Sequence, residues 1–293
     1  MMKYLITGAA GQLGREMSVR IRSRGETVFP FSHSDLDITD LQAVRQCFGD
    51  YRPDAVINCA SYNAVDKAEK DWKTAYMVNG VGPKNIAIAA SEAEIPVVHF
   101  STHFVFDGRK RTPYTIADAP NPLSRYGESK LLGEGEVRSL AGSFLLIRTS
   151  WLFGDDGNPA VSFPAKLMEW MNEKKELSIV DDQVSSPTYV PDLVSVTLAL
   201  LKMKAWGLYH FNNNSWCSKY GWAEYIGGKT GWKGKIHPAS TGDFPGGAAR
   251  PLYSVLDTFP LEEICDGIDF PSWKNAVDRF LQKKFRMAQR RNA

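Results

Sequence analysis

Lys3-Tyr4-Leu5-Ile6-Thr7-Gly8-Ala9-Ala10-Gly11-Gln12-Leu13-Gly14, close to the start of the chain, is a short strand-like run that gives way at once to three regularly spaced glycines. After the glycines, Leu13, Met17 and Ile21 recur at helical spacing. Strand, glycine turn and helix in that order can make a cradle. Glycines permit a tight turn and close backbone approach, and the N–H groups at the helix start attract a pyrophosphate. A plain glycine-rich loop feeding a helix is the alternative, and the residues downstream bear on the choice.

The first half of the chain keeps alternating. Thr27 to Phe31 reads as a second strand, and Thr39 or Asp40 can cap a helix carrying Leu41, Val44 and Phe48. Ala55 to Asn58 reads as a third strand, the alanine-rich run from Thr74 to Ala93 as a long helix, and Pro96 to Phe100 as a fourth strand. This pattern predicts an α/β fold, a doubly wound parallel sheet with helices on both faces. Ligands of such sheets gather at the carboxyl ends of the strands, where Gly8, Ala60 and Thr102 would fall. An acid at the end of the second strand would hold a ribose 2′-hydroxyl and repel a 2′-phosphate. Phe31-Ser32-His33-Ser34 stands there, with the first acid at Asp35, so NADPH is the expected cofactor and NADH is admitted. No arginine in that turn clamps the phosphate.

Tyr126-Gly127-Glu128-Ser129-Lys130 puts a phenol and an ammonium one helical turn apart, on one face. A free phenol titrates near about 10, and a cation within a few Å lowers that, so Tyr126 can serve as acid or base with Lys130 as its tuner. Tyr and Lys at this spacing also occur by chance. Ser101-Thr102-His103-Phe104-Val105-Phe106 supplies hydroxyls where a substrate carbonyl could lie, although Ser and Thr after a strand are also ordinary turn residues.

With 293 residues, 43% of them hydrophobic, the chain can bury one large core or two smaller ones. A net charge of +2 gives no ground for nucleic acid or an anionic membrane as partner. Lys283, Lys284, Arg286, Arg290 and Arg291 cluster at the tail, read as a solvated, frayed end. There is neither a membrane-length apolar run nor a signal-peptide stretch, so a cytoplasmic protein is expected. Cys47, Cys59, Cys217 and Cys265 lack metal-ligand spacing and are expected as reduced, mostly buried thiols, with no catalytic metal.

GAAGQLG, NCASYNAVDKAE, STHFVFDG, NPLSRYGESKLLGE, RTSWLFG, VDDQVSSPTYVPDL and AARPLYSVLD span nearly the whole chain. Together they resemble the dTDP-4-dehydrorhamnose reductase family of extended short-chain dehydrogenases/reductases. The resemblance implies a Rossmann-type sheet and hydride transfer from NAD(P)H to C4 of a dTDP-4-keto-6-deoxyhexose. It implies Tyr126 as proton donor, Lys130 lowering its pKa and holding the nicotinamide ribose, and Thr102 bonding the carbonyl. It also implies Gln12 and Leu13 at the pyrophosphate, where the glycine turn already places Gly8, Gly11 and Gly14 as cofactor-binding residues, with Asp37 and Ile38 at the adenine, Ala60 and Tyr62 at the middle of the cofactor, and Trp151 at the sugar.

One departure concerns the substrate: family members usually read Ser-Thr-Asp-Tyr-Val-Phe, whereas this chain has His103 and Phe104. Losing polar groups that bond a substrate shifts selectivity, which leaves open a different nucleotide 4-keto sugar. It also keeps open a non-catalytic reading, since a similar fold serves as the cofactor-binding regulatory subunit of methionine adenosyltransferase. His103 itself reads more readily as a solvent-facing or backbone-bonded imidazole than as a catalytic group.

Residues 1–150 are expected as the cofactor domain, 151–293 as a smaller C-terminal substrate-binding lobe, with 181–203 returning to the first domain. In the lobe, Phe163 to Trp170 and Asp192 to Met203 read as helices, Leu177 to Val180 as a strand, and the stretch to Asp257 as irregular loops around short elements. Arg250 is the candidate for the nucleotide-sugar phosphates, a surface arginine being the alternative. Trp273, Ala276, Val277, Phe280 and Leu281 form an apolar stripe expected to be core. The sequence does not fix the oligomeric state; a homodimer is one arrangement it allows.

Overall fold

The computed structural model describes residues 1–154, 162–265 and 267–291. Its centre is a sheet of six strands in which β1 (Lys3–Thr7), β2 (Thr27–Phe31), β3 (Ala55–Asn58), β4 (Val97–Thr102), β5 (Phe144–Thr149) and β7 (Gly207–His210) run in the order β7-β5-β4-β3-β1-β2. Every pairing is parallel. Because successive side chains on a strand point to opposite faces, Ile6 joins one core and Leu5 the other.

On the Ile6 face, α1 (Gln12–Ser23) brings Leu13, Met17 and Ile21 against Leu193, Val194 and Leu201 of α6 (Val190–Met203). On the Leu5 face lie α2 (Leu41–Tyr51), α3 (Gly82–Glu92) and α4 (Arg125–Leu140), represented by Val44, Ile86 and Val137. Asp40 caps α2, its carboxylate accepting from the N–H groups of Gln42 and Ala43 at 2.8 and 3.1 Å.

Strand order reverses at β1, with β2 on one side and β3 on the other. Gly8 sits at this switch point with φ +64°, and a Cβ there would stand 2.5 Å from the Ala60 nitrogen. Only glycine fits.

The remaining residues build a second core: α5 (Phe163–Glu173), β6 (Glu176–Val180), α7 (Lys219–Thr230), β8 (Lys235–Ala239) and α8 (Trp273–Arg291) surround Phe153, Trp222, Val277 and Phe280. β6 and β8 pair in parallel.

Several sequence expectations change here. The helix expected over Thr74 to Ala93 starts at Trp72 and is interrupted by a π turn, Met77–Val81. The stretch expected as loops around short elements supplies β7, the edge strand of the main sheet, and the 12-residue helix α7 as well as the short β8. The basic tail continues as helix to Arg291 instead of fraying; the side chains of Arg290 and Arg291 are outside the described residues. Two of the four cysteines, Cys59 and Cys217, are only partly buried.

Candidate active site

A cleft of about 450 Å³ opens along the carboxyl ends of β1, β3, β4 and β5 and is closed on its far side by the second core. One end is formed by Gly11, Gln12 and Leu13. Gly11 stands at the N-cap of α1 without a side-chain hydrogen bond, and the first turn of the helix carries no acid. Gly14 packs so tightly under the turn that a Cβ would lie 2.5 Å from the Gly8 carbonyl oxygen. The Gln12 amide nitrogen is buried with no hydrogen-bond partner among the described residues. Unsatisfied N–H groups with no competing carboxylate suit a diphosphate. The chain therefore fits a dinucleotide at this end.

Past β2, the Asp35 carboxylate is turned onto Ser32, accepting from its N–H at 2.8 Å and its hydroxyl at 2.5 Å. Asp37 and Ile38, expected at the adenine, are outside the cleft. The Asp37 carboxylate accepts from the Thr39 N–H and hydroxyl, while Ile38 is core, its carbonyl taken by Asn85 at 3.0 Å.

The middle of the cleft is lined by Ala60, Thr102, Tyr126 and Lys130. Ser124 caps α4 by accepting from the Gly127 N–H at 3.2 Å, and this sets Tyr126 and Lys130 on the face turned to β4. Burial pushes the Tyr126 phenol up to about 12, with the hydrogen bond to Thr102 acting the other way. Lys130 donates to the Phe100 carbonyl at 2.6 Å, and burial pushes it down to about 8 against the opposing pull of Glu134 and Cys59. The expected lowering of Tyr126 by Lys130 is thus not what the geometry produces: desolvation dominates, and the ammonium is turned to a backbone carbonyl.

Tyr62 does not line the cleft; it packs beside Tyr126 and Phe104, and its N–H donates to the Asn79 side chain at 2.8 Å. Asn79, in the π turn, is buried. Its Oδ1 also accepts from the Ser61 hydroxyl, and its Nδ2 donates to the Tyr62 carbonyl and the Ser129 hydroxyl, each at 3.0 Å. One amide therefore ties the loop after β3 to the helix of Tyr126.

At the other end stand His103, Phe104, Trp151, Phe163, Lys219 and Trp222. His103 is neither solvent-facing nor backbone-bonded, contrary to expectation. It is buried, with Nδ1 2.8 Å from the Ser254 hydroxyl and 3.3 Å from that of Ser185, and burial pushes it down to about 3, so it is neutral. Trp151 adopts φ +42°, a left-handed conformation costly for a bulky residue, and its ring stacks on Trp222 at 5.8 Å.

Arg250 lies outside the cleft. Its guanidinium donates to both oxygens of Asp66 at 2.8 Å instead of facing the cleft. Lys219, Trp222, Phe163 and Asn79 were not identified from sequence. For Lys219 a signal existed: it is the first residue of a helix, where a cation is disfavoured.

The family model for the RmlD substrate binding domain matches residues 2–286. A spore coat polysaccharide biosynthesis protein of Bacillus subtilis is 37% identical over 284 residues, covering 97% of this chain and 98% of that protein. A dTDP-4-dehydrorhamnose reductase from Clostridium acetobutylicum superposes with a TM-score of 0.92 at 40% identity, covering 96% of this chain and 99% of that one. The Bacillus anthracis dTDP-4-dehydrorhamnose reductase, solved in complex with NADP, superposes with the same score of 0.92 at 35% identity and covers 96% of this chain and 99% of its own.

Proposed function

This chain belongs to the RmlD substrate-binding-domain family, and from that premise we propose that it reduces the C4 keto group of a dTDP-4-keto-6-deoxyhexose, converting dTDP-4-dehydrorhamnose to dTDP-rhamnose with NADPH. The observation that carries the proposal is the convergence of Thr102, Tyr126 and Lys130 on the cleft whose other end is the Gly11-Gln12-Leu13 turn. When bound, the dinucleotide supplies a hydride to C4, and the carbonyl oxygen takes up a proton to complete the alcohol.

The side chains divide that work. Gly11, Gln12 and Leu13 hold the diphosphate on the start of α1, and Ala60 supports the middle of the dinucleotide. With no acid free after β2 and Asp35 held by Ser32, a 2′-phosphate is tolerated. Thr102 orients the substrate carbonyl. Burial raises the Tyr126 phenol and so keeps its proton in place for donation. As charge develops on the carbonyl oxygen, Tyr126 gives up its proton, and Lys130, which lines the same cleft, would turn its ammonium from the Phe100 carbonyl toward the phenolate that remains. His103, Phe104 and Trp151 form the wall against the sugar. The division of labour between residues 1–150 with 181–203 and residues 151–293 follows: the first holds the cofactor, the second the sugar nucleotide. The reading places the protein in nucleotide-sugar synthesis for surface polysaccharide, in the cytoplasm, and among the described residues no helix is long and apolar enough to cross a membrane.

The test is the loss of nicotinamide absorbance when the protein is mixed with NADPH and dTDP-4-dehydrorhamnose. Oxidation is expected; tight NADPH binding without turnover would replace this reading with that of a regulatory subunit. Tyr126→Phe is expected to cut turnover by about 10²–10⁴-fold with NADPH affinity nearly unchanged.

A further inference from the structure

Lys219 is the first residue of α7, with Ser218 as the N-cap. The helix dipole opposes a cation there. Its ammonium faces aromatic rings, 3.8 Å from the centroid of Trp151, 4.6 Å from Phe163 and 4.8 Å from Trp222. Among the described residues no carboxylate pairs with it. The titratable and charged groups that act on it or face it are His103, which is neutral, Cys217, whose thiol burial pushes up to about 12, and Arg250, which is held by Asp66 and repels it. Burial pushes Lys219 down to about 7. Aromatic faces compensate only part of such a desolvation. A cation opposed by the helix dipole, by burial and by a neighbouring guanidinium, yet lining the substrate end of the cleft, is completed by an anion.

We propose that Lys219 is a specificity-determining residue that takes a phosphate or carboxylate oxygen of the bound nucleotide sugar, in the role expected of Arg250, whose guanidinium is paired with Asp66 outside the cleft. This rests on the sugar-nucleotide reading above. The anion has two sources: the diphosphate linking nucleoside to sugar, or a carboxylate on the hexose. The second matters because the family's aspartate is replaced by His103, leaving this pocket wall, among the described residues, with a cation and no carboxylate.

An anion beside Lys219 raises its pKa, so binding near pH 8 draws in a proton. Isothermal titration in two buffers of different ionisation enthalpy, with dTDP-glucose and a dTDP-hexuronate, reads this directly. The wild type is expected to take up most of one proton. Lys219→Met is expected to take up none and to bind at least about tenfold more weakly, whereas the always-charged Lys219→Arg recovers affinity without the uptake. Equal uptake with both ligands assigns the diphosphate; uptake with the hexuronate alone assigns the carboxylate. Wild-type binding without proton uptake for either ligand, or undiminished affinity in Lys219→Met, overturns the proposal. NADPH oxidation is scored separately, so a protein that takes up the proton but reduces no keto sugar refutes the reductase reading and spares this one.

Discussion

Lys130 carries the tension between stability and chemistry at a single residue. Burial opposes its charge, and its hydrogen bond to the Phe100 carbonyl at 2.6 Å offsets part of that cost. Because its pKa falls from 10.5 to about 8 on folding, the unfolded chain binds more protons between those two values. Stability contributed at this site therefore rises with pH across that window. Catalysis runs the other way, since the ammonium that offsets the developing phenolate is lost as pH climbs past about 8. kcat/KM is expected to decline on the alkaline side while thermal stability at this site does not. Lys130→Met should lose about 10²-fold or more in turnover and unfold at an equal or higher temperature near pH 7, with the advantage over wild type shrinking as pH approaches 10. A pH series of melting curves checks this; a variant melting well below wild type at pH 7 would show that Lys130 is held for structure.

At the scale of elements, the decisive contact is between α4 and the π turn Met77–Val81. Gly133, one turn beyond Ser129, lies so close that a Cβ would meet the Asn79 carbonyl oxygen at 2.1 Å. The extra residue of the π turn aims the Asn79 side chain at Tyr62 and Ser129. Gly133→Ala must push α4 away and is expected to lower both melting temperature and turnover. Asn79→Ala leaves the Ser61 and Tyr62 groups without their partner, a cost of about 1–3 kcal/mol, and calorimetry with NADPH titration should find the melting temperature lowered and cofactor affinity reduced. None of this was legible in the sequence, because one continuous helical pattern covers Thr74 to Ala93 and a π turn leaves the spacing of apolar residues almost unchanged. β1 to β4 were legible as apolar runs alternating with helices. β5 and β7 were not, and they carry a buried arginine and a buried histidine. Arg148 is made tolerable by Glu134 at 2.6 Å, itself equally buried, and by His210 at 3.4 Å. Such partners, distant along the chain, emerge only once the sheet is assembled. The cofactor end of the cleft was readable because glycines and a helix start are local features. At the sugar end His103, Phe104 and Trp151 were legible from the motifs, but Lys219 was not, nor were the Ser185 and Ser254 hydroxyls that hold His103, because they come from distant parts of the chain.

For the molecule as a whole, the question is how the second core is held against the sheet. Arg279 of α8 grips Asp192 of α6 from behind, at 2.6 and 2.8 Å. At the front, the Asp66 carboxylate, from the segment after β3, accepts from Arg250 and from the Ala248 N–H at 2.9 Å. The Arg250 hydrogen bond holds the Asp66 carboxyl below its ordinary value, so the stability this contact contributes is fully present above the usual carboxylate value and is lost as pH falls from there through the lowered one. Asp66 is more than half exposed, and a pair of that kind contributes about 1 kcal/mol or less. Its consequence should therefore appear in geometry more than in stability. Asp66→Asn loosens the front of the second core while leaving the Gly11-Gln12-Leu13 turn and the Tyr126 helix where they are. The expected result is a melting temperature within about 4 °C of wild type, an unchanged affinity for NADPH and a several-fold higher KM for the sugar nucleotide. Added salt should raise the wild-type KM toward that of the variant, because a half-exposed ion pair is screened over about 10 Å at 0.1 M. Steady-state kinetics at two ionic strengths beside NADPH titration decides it: a fall in NADPH affinity equal to the rise in KM would mean that Asp66 supports the sheet rather than the closure of the sugar end.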